Sequence, residues 1–220
     1  MAVRAERVQA TRESILAAAE RLFAEHGVFA VSNRQISEAA GQGNTAAVGY
    51  HFGTKTDLVR AIIRRHTEDI DRIRTSMVAE VAGSTDLRDW IACLLRPNIE
   101  HLASLPRPSW FARFSAQVMT DPELRTIMVD ESLGEPSLRE AVDGMNRCLP
   151  ELPVEVRMER GEMVRQLTMH MTAERERALA EGTPTARSSW HDAATGLIDA
   201  IVGLLLAPVT PAQDDSKEKP

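Results

Sequence analysis

Apolar residues along this chain recur at helical spacing and almost nowhere alternate. From Thr11, positions Ile15, Ala18, Ala19, Leu22 and Phe23 follow the i, i+3, i+4, i+7, i+8 stripe of an amphipathic helix, which Gly27 ends. Residues 1–10 carry Arg4 and Arg7 but no such stripe, and are expected to be frayed. A long helix is predicted from Lys55 to Val81, with Leu58, Ile62, Ile70, Ile73, Met77 and Val81 inward. Further helices are predicted over Asp86–Leu102, from the Asp121-Pro122 start to about Glu131, and from Ser137 to Cys148. Two long ones follow, Val154–Ala180 and Ser188–Leu206, before the polar tail TPAQDDSKEKP. β-branched runs are scarce, so the expected fold is all-α.

Between the first and the long helix, SNRQISEAAGQGNTAAVGYHFGTK reads differently. Ser32 and Gln35 have the spacing of a capping box, Ile36, Ala39 and Ala40 give a small apolar face, and Gly41 suits a left-handed stop. Asn44 is expected to cap a second short helix, Thr45 to Phe52, with Val48 and Phe52 inward. Its other face carries Thr45, Ala46, Ala47, Gly49, Tyr50 and His51. Thr54 caps the next helix and places Lys55 in its first turn, where a cation opposes the helix dipole and an arriving anion would explain it. Two short helices around a glycine turn form a helix-turn-helix pattern.

Charge sharpens this. The net charge is −6, yet residues 1–66 carry +3 and the remainder −9, a mildly basic end on an acidic body. Cys93 and Cys148 have no metal or redox spacing. The charged N-terminus has no apolar core of a secretory signal, and AIVGLLLAPV at 200–209 is too short to span a bilayer. A soluble cytoplasmic protein is expected, with no membrane association.

The motifs Ile15-Leu16, Ala18-Ala19, Leu22-Phe23, Gly27, Ser32, Arg34-Gln35-Ile36, Ala40-Gly41 and Tyr50-His51-Phe52-Gly53 with Lys55 and Leu58 resemble the DNA-binding domain of the tetracycline-repressor (TetR) family of bacterial regulators. The resemblance covers residues 11–66; Gly49 departs from it, where many members carry a bulkier residue. It implies a DNA-binding domain over 1–54, a helical ligand-binding and dimerisation domain over 55–208, and a disordered tail over 209–220. Ser32, Arg34, Thr45, Ala46, Ala47, Tyr50, His51 and Lys55 are the expected DNA contacts, with Arg34 suited to a phosphate or a guanine edge. Double-stranded DNA with a palindromic operator is the expected partner, read by a homodimer joined through the last two helices.

In the body, methionines and aromatics are ordinarily core. As a set with interspersed polar groups they match a small-molecule pocket for a largely apolar effector. Trp90, His101, Trp110, Phe111, Phe114, Gln117, Met145, Met163 and His170 are the candidates. Gly41–Ala46 fits G-x-G-x-x-A, but the residues before it are helical, which rules out a dinucleotide fingerprint. The six histidines show neither H-E-x-x-H nor Glu-x-x-His spacing, and no G-x-S-x-G is present, so no cofactor, metal or catalysis is expected. Two functions remain: a ligand-responsive DNA-binding regulator, or a DNA-binding or scaffold protein whose body only dimerises or binds a protein partner. A cavity in the body separates them.

Overall fold

A computed structural model describes residues 2–210 of the chain, so the tail expected to be disordered lies, from residue 211 on, outside the described residues. The described residues form ten helices joined by turns and loops: α1 (Ala2–His26), α2 (Asn33–Ala39), α3 (Ala47–Phe52), α4 (Lys55–Glu80), α5 (Leu87–Ser104), α6 (Phe111–Thr120), α7 (Pro122–Leu133), α8 (Pro136–Cys148), α9 (Val154–Glu181) and α10 (Trp190–Leu206). The capping chemistry is as the side chains dictate. Ser32–Gln35 and Thr54–Asp57 close reciprocal capping boxes, and Asp121 accepts two backbone N–H groups ahead of Pro122.

Three expectations need correction. The first helix begins at Ala2 and not at Thr11. Residues 4–10 are exposed, so packing does not decide there; strong helix formers such as Ala5, Glu6, Arg7 and Ala10 extend the helix into solvent. The third helix begins at Ala47, because Asn44 accepts the Ala46 N–H at 2.9 Å and holds Thr45 and Ala46 in a turn. On α4 the buried positions are Leu58, Ile62, His66, Ile70, Arg74 and Val78, whereas Ile73, Met77 and Val81 are only half-buried. Each step of four residues turns the buried face by about 40°, so it swings roughly half-way round between Leu58 and Val78. The start of α4 therefore packs on the helix-turn-helix and its end packs into the body.

One hydrophobic core runs from Ile15 in α1 to Leu205 in α10. Ile15, Phe23, Ile36, Val48, Leu58 and Ile62 fill the N-terminal part. The bridge to the body is direct: α1 packs on α6, with the Phe23 and Phe114 rings stacked at 6.3 Å. In the body, α5 is central, flanked by α4, α8 and α10. Buried polar groups fasten the helices end to end. Glu176 of α9 accepts the Ala112 and Arg113 N–H groups at 3.2 and 3.0 Å, an anion at the N-terminus of α6. Arg160 donates to the carbonyls of Leu205 and Ala207 at 2.7 and 2.6 Å, closing the end of α10. Gly144 is required where α8 meets α5, since a Cβ there would lie 2.2 Å from Trp90.

The apolar face of α10 is spent inside the protomer. Leu197, Ile198 and Ile201 are buried, and α5 is the main neighbour of this helix. Packing on α5 covers them, leaving Ala200, Gly203 and Leu206 outward.

Candidate nucleic-acid interface and body cavity

The helix-turn-helix is held from below by polar contacts. Ser37, fully buried, donates to the Thr45 carbonyl at 3.2 Å and so sets the turn between α2 and α3. Gln42 in that turn reaches Ser14 of α1 at 3.3 Å. Arg12 of α1 donates to the His51 carbonyl at 2.5 Å, with its guanidinium 4.3 Å from the centre of the Phe52 ring. That cation closes the C-terminal end of α3, where the helix dipole favours it. Sequence patterns singled out none of Arg12, Ser37 and Gln42, because their partners are backbone carbonyls and residues far along the chain.

The outward surface of α3 is narrower than expected. Thr45, Ala46, Gly49 and Tyr50 are exposed, and Tyr50, at 82%, is the most exposed large hydrophobic residue among those described. Ala47 is the correction: it is 7% exposed and packs inward beside Val48, so it offers no surface to a partner. His51 is half-buried with its ring edge-on to Tyr50 at 5.0 Å. Arg34 is exposed at the start of α2 and pairs with Glu38 at 2.8 Å, which raises its pKa further. The Ser32 hydroxyl is engaged in its own cap. Lys55 has an internal explanation: its ammonium donates to the Val28 and Val31 carbonyls at 3.2 and 2.5 Å. It pins the α1–α2 loop, and partial burial lowers its pKa.

The body encloses a cavity of about 580 Å³, within the range of small-molecule sites. Apolar groups from seven helices line it, among them Ile70, Leu95, Phe111, Met128, Met145 and Val164. Its polar lining includes Asn98, Asn146, Thr168, Arg74, Arg157 and Arg165. Of the nine expected pocket residues, only Phe111 and Met145 reach it. Trp90 instead packs with Val78, Cys93 and Ala141, donating to the Ser84 carbonyl at 2.9 Å. Trp110 lies under the Arg113 guanidinium at 4.2 Å, and Phe114 stacks on Phe23 and Phe111. Gln117 is exposed near Gly27, while Met163 and His170 lie on the outer face of α9.

His101 is also elsewhere, in a buried chain across the junction. Its Nε2 lies 2.7 Å from His66 Nδ1, and His66 Nε2 lies 2.9 Å from the Glu20 carboxylate of α1. The Phe111 ring stacks on His66 at 3.8 Å. Burial, and then the nearby His66, push the His101 pKa down to about 4. Thus Phe111 touches the cavity on one side and this chain to α1 on the other.

Comparison with known proteins agrees with the architecture. Residues 15–62 match the family model "Bacterial regulatory proteins, tetR family", and residues 92–203 match "Tetracyclin repressor-like, C-terminal domain". The chain is 31% identical over 152 residues to the HTH-type transcriptional repressor AcnR of Corynebacterium efficiens, covering 66% of this chain and 73% of that one. A TetR family regulator from Marinobacter aquaeolei superposes with a TM-score of 0.57 at 18% identity, covering 89% of this chain and 97% of that one. PfmR from Thermus thermophilus gives 0.53 at 20% identity, covering 87% and 96%. Among the described residues no helix is long and apolar enough to cross a membrane. With a helix-turn-helix presented on α1 and α4 and both parts of the family matched, the chain belongs to the TetR family and is a DNA-binding transcription regulator.

Proposed function

We propose that this regulator is a repressor, released from a palindromic operator when a small molecule fills the body cavity. The observation that carries the reading is that cavity of about 580 Å³, walled in part by α4, whose first turns build the DNA-binding part. A solidly packed body would instead favour a protein that only dimerises or docks a partner. AcnR, which this chain resembles, is described as a transcriptional repressor, and that supports the sign of regulation. Tyr50, Thr45, Ala46, Arg34 and His51 are the side chains that meet DNA in this reading, and Ser32 and Lys55 position them.

A single short recognition helix reads too few base pairs, so two copies related by a two-fold axis are needed. The outward residues Ala200, Gly203 and Leu206 of α10, with Met163, His170 and Met171 on the outer side of α9, form the proposed dimer surface. Small residues there allow two helices to approach closely. A ligand beneath α4 would alter the separation of the two recognition helices, and a duplex demands half-sites about 34 Å apart. The test is selection of the bound operator from random DNA, followed by a screen for compounds that release it. Reciprocity requires operator DNA to weaken effector binding by the factor by which the effector weakens DNA binding. Equal effector affinities with and without operator would overturn the reading.

A further inference from the structure

The cavity contains a charge with no visible purpose in the fold. Arg74 sits on the buried face of α4 between Ile70 and Val78 and is only 6% exposed. Its Nε has no hydrogen-bond partner, and Asp71, Glu135 and Cys93 act on it only through space. The Asp71 carboxylate is already committed to the Ser137 hydroxyl. A guanidinium removed from water without a partner is among the more costly groups a core can hold, so such groups are normally paired. Arg74 lines the cavity, as do Arg157 and Arg165, and no aspartate or glutamate does. Arg165 is occupied with Glu162 and Arg157 is exposed, which leaves Arg74 as the buried, unspent cation.

We infer that the effector cavity binds an apolar molecule bearing a carboxylate, with the carboxylate on Arg74 and the apolar body among Ile70, Leu95, Phe111, Met128, Met145 and Val164. The inference rests on the reading of the cavity as the effector site and adds the ligand's chemical class. A planar guanidinium offers two parallel N–H donors to a carboxylate, and in a low-dielectric wall such a charge-assisted pair discriminates strongly against an uncharged analogue. The rest of the lining is apolar apart from a few amides and hydroxyls, so a compact polyanion would leave most of the cavity unfilled and its own charges unmatched. The ligand's charge lies at one end of an otherwise hydrophobic body. In sequence, Arg74 stands where the stripe of α4 calls for an apolar side chain, and the ligand explains that placement.

The experiment titrates the whole chain, without DNA, with two matched pairs: dodecanoate against 1-dodecanol, and 2-naphthoate against 2-naphthol, all below aggregating concentrations. Wild type is expected to bind the carboxylate of at least one pair roughly tenfold to a hundredfold more tightly than its neutral partner, the worth of one charge-assisted hydrogen-bonding group. Arg74→Met should reduce that ratio to within about threefold. It should also melt at or above the wild-type temperature, because it removes an unpaired buried charge. Neutral partners binding as well as the carboxylates, no carboxylate binding, a preference surviving in Arg74→Met, or a sharp fall in melting temperature would each overturn the inference. The last would mean that the arginine serves the fold. A parallel operator-release assay separates the two readings. Arg74-dependent carboxylate binding without release defeats the regulatory reading and leaves this site standing; release by neutral compounds, indifferent to Arg74, does the reverse.

Discussion

His66 and His101 face one another across α4 and α5 with Nδ1 and Nε2 2.7 Å apart, a buried hydrogen bond between two imidazoles. A Glu20 carboxylate can only accept, so His66 donates to it from Nε2. Together the three side chains link α5 through α4 to α1. Burial keeps His101 neutral there.

That neutrality has a pH signature. His66 and Arg65 join burial in lowering the His101 pKa to about 4, while Asp69 and Glu20 pull the other way. In the unfolded chain the same imidazole takes up its proton near pH 6.5. Between those values the unfolded state binds more protons. The stabilisation is therefore whole above about pH 6.5 and is lost as the pH falls toward 4, by an amount on the order of 3 kcal/mol. Denaturant titrations of wild type and His101→Gln across that window should show the slope in wild type and most of it removed in the variant. An unchanged slope would assign the acid sensitivity to other groups.

On the DNA-facing side, Tyr50 and Lys55 should separate cleanly. Tyr50→Ala removes an exposed side chain that nothing in the protomer needs, so operator affinity should fall with little change in Tm. Lys55→Ala frees the Val28 and Val31 carbonyls and should cost about 1–3 kcal/mol of stability together with DNA affinity. Phosphate contact predicts that the Tyr50 loss is similar for all sequences. If Lys55→Ala melted as wild type, its role in pinning the loop would be wrong.

The Glu176 anchor is a buried polar position on which several groups depend. Its carboxylate is 2% exposed and holds the start of α6 and the Arg113 side chain at 3.2 Å. Glu176→Ala leaves Arg113 buried beside unsatisfied N–H groups, and a loss of about 3–5 kcal/mol is expected in urea unfolding. Glu176→Gln keeps an acceptor and should lose less. A double variant with Arg113→Met should recover part of the loss; no recovery would mean that the backbone N–H groups dominate.

Substitutions on α10 distinguish folding from assembly. Gly203 has open space where a Cβ would stand, so Gly203→Glu should fold and sediment as a monomer with weakened operator binding. Ile201→Glu places a charge in the core and should unfold the protomer. A folded dimeric Gly203→Glu would exclude this face from the interface.

At α8, Gly144→Ala drives a methyl group into the Trp90 ring. Overpacking of this kind costs about 1–3 kcal/mol, readable as a lowered urea midpoint with an unchanged m-value. A wild-type midpoint would show that Trp90 can move aside, and that the contact is slack.

How far the sequence carried depends on what kind of signal each feature leaves. The Ser32 and Thr54 caps and the Asp121-Pro122 start are local, and the structure places them where spacing predicts. Ala47 was misassigned because the turn after Asn44 delays the helix by two residues and rotates that methyl inward. Most of the cavity was illegible, because methionines and aromatics mark core and pocket alike. Only Phe111 and Met145 were found. One signal was present and passed over. His66 and Arg74 are polar residues at positions where the four-residue spacing of α4 demands apolar ones, and each marks a buried polar centre.

The Phe23–Phe114 stack and the swing of the buried face of α4 bear on recombination. A chimera cut at Thr54, giving this DNA-reading part to another regulator's body, would split a continuous core and leave Phe23 without its ring partner. Grafts should succeed only when this chain's α4 and the surface of α6 that meets α1 travel with the head. New binding specificities in this lineage are then more readily reached by changing side chains in place than by exchanging modules.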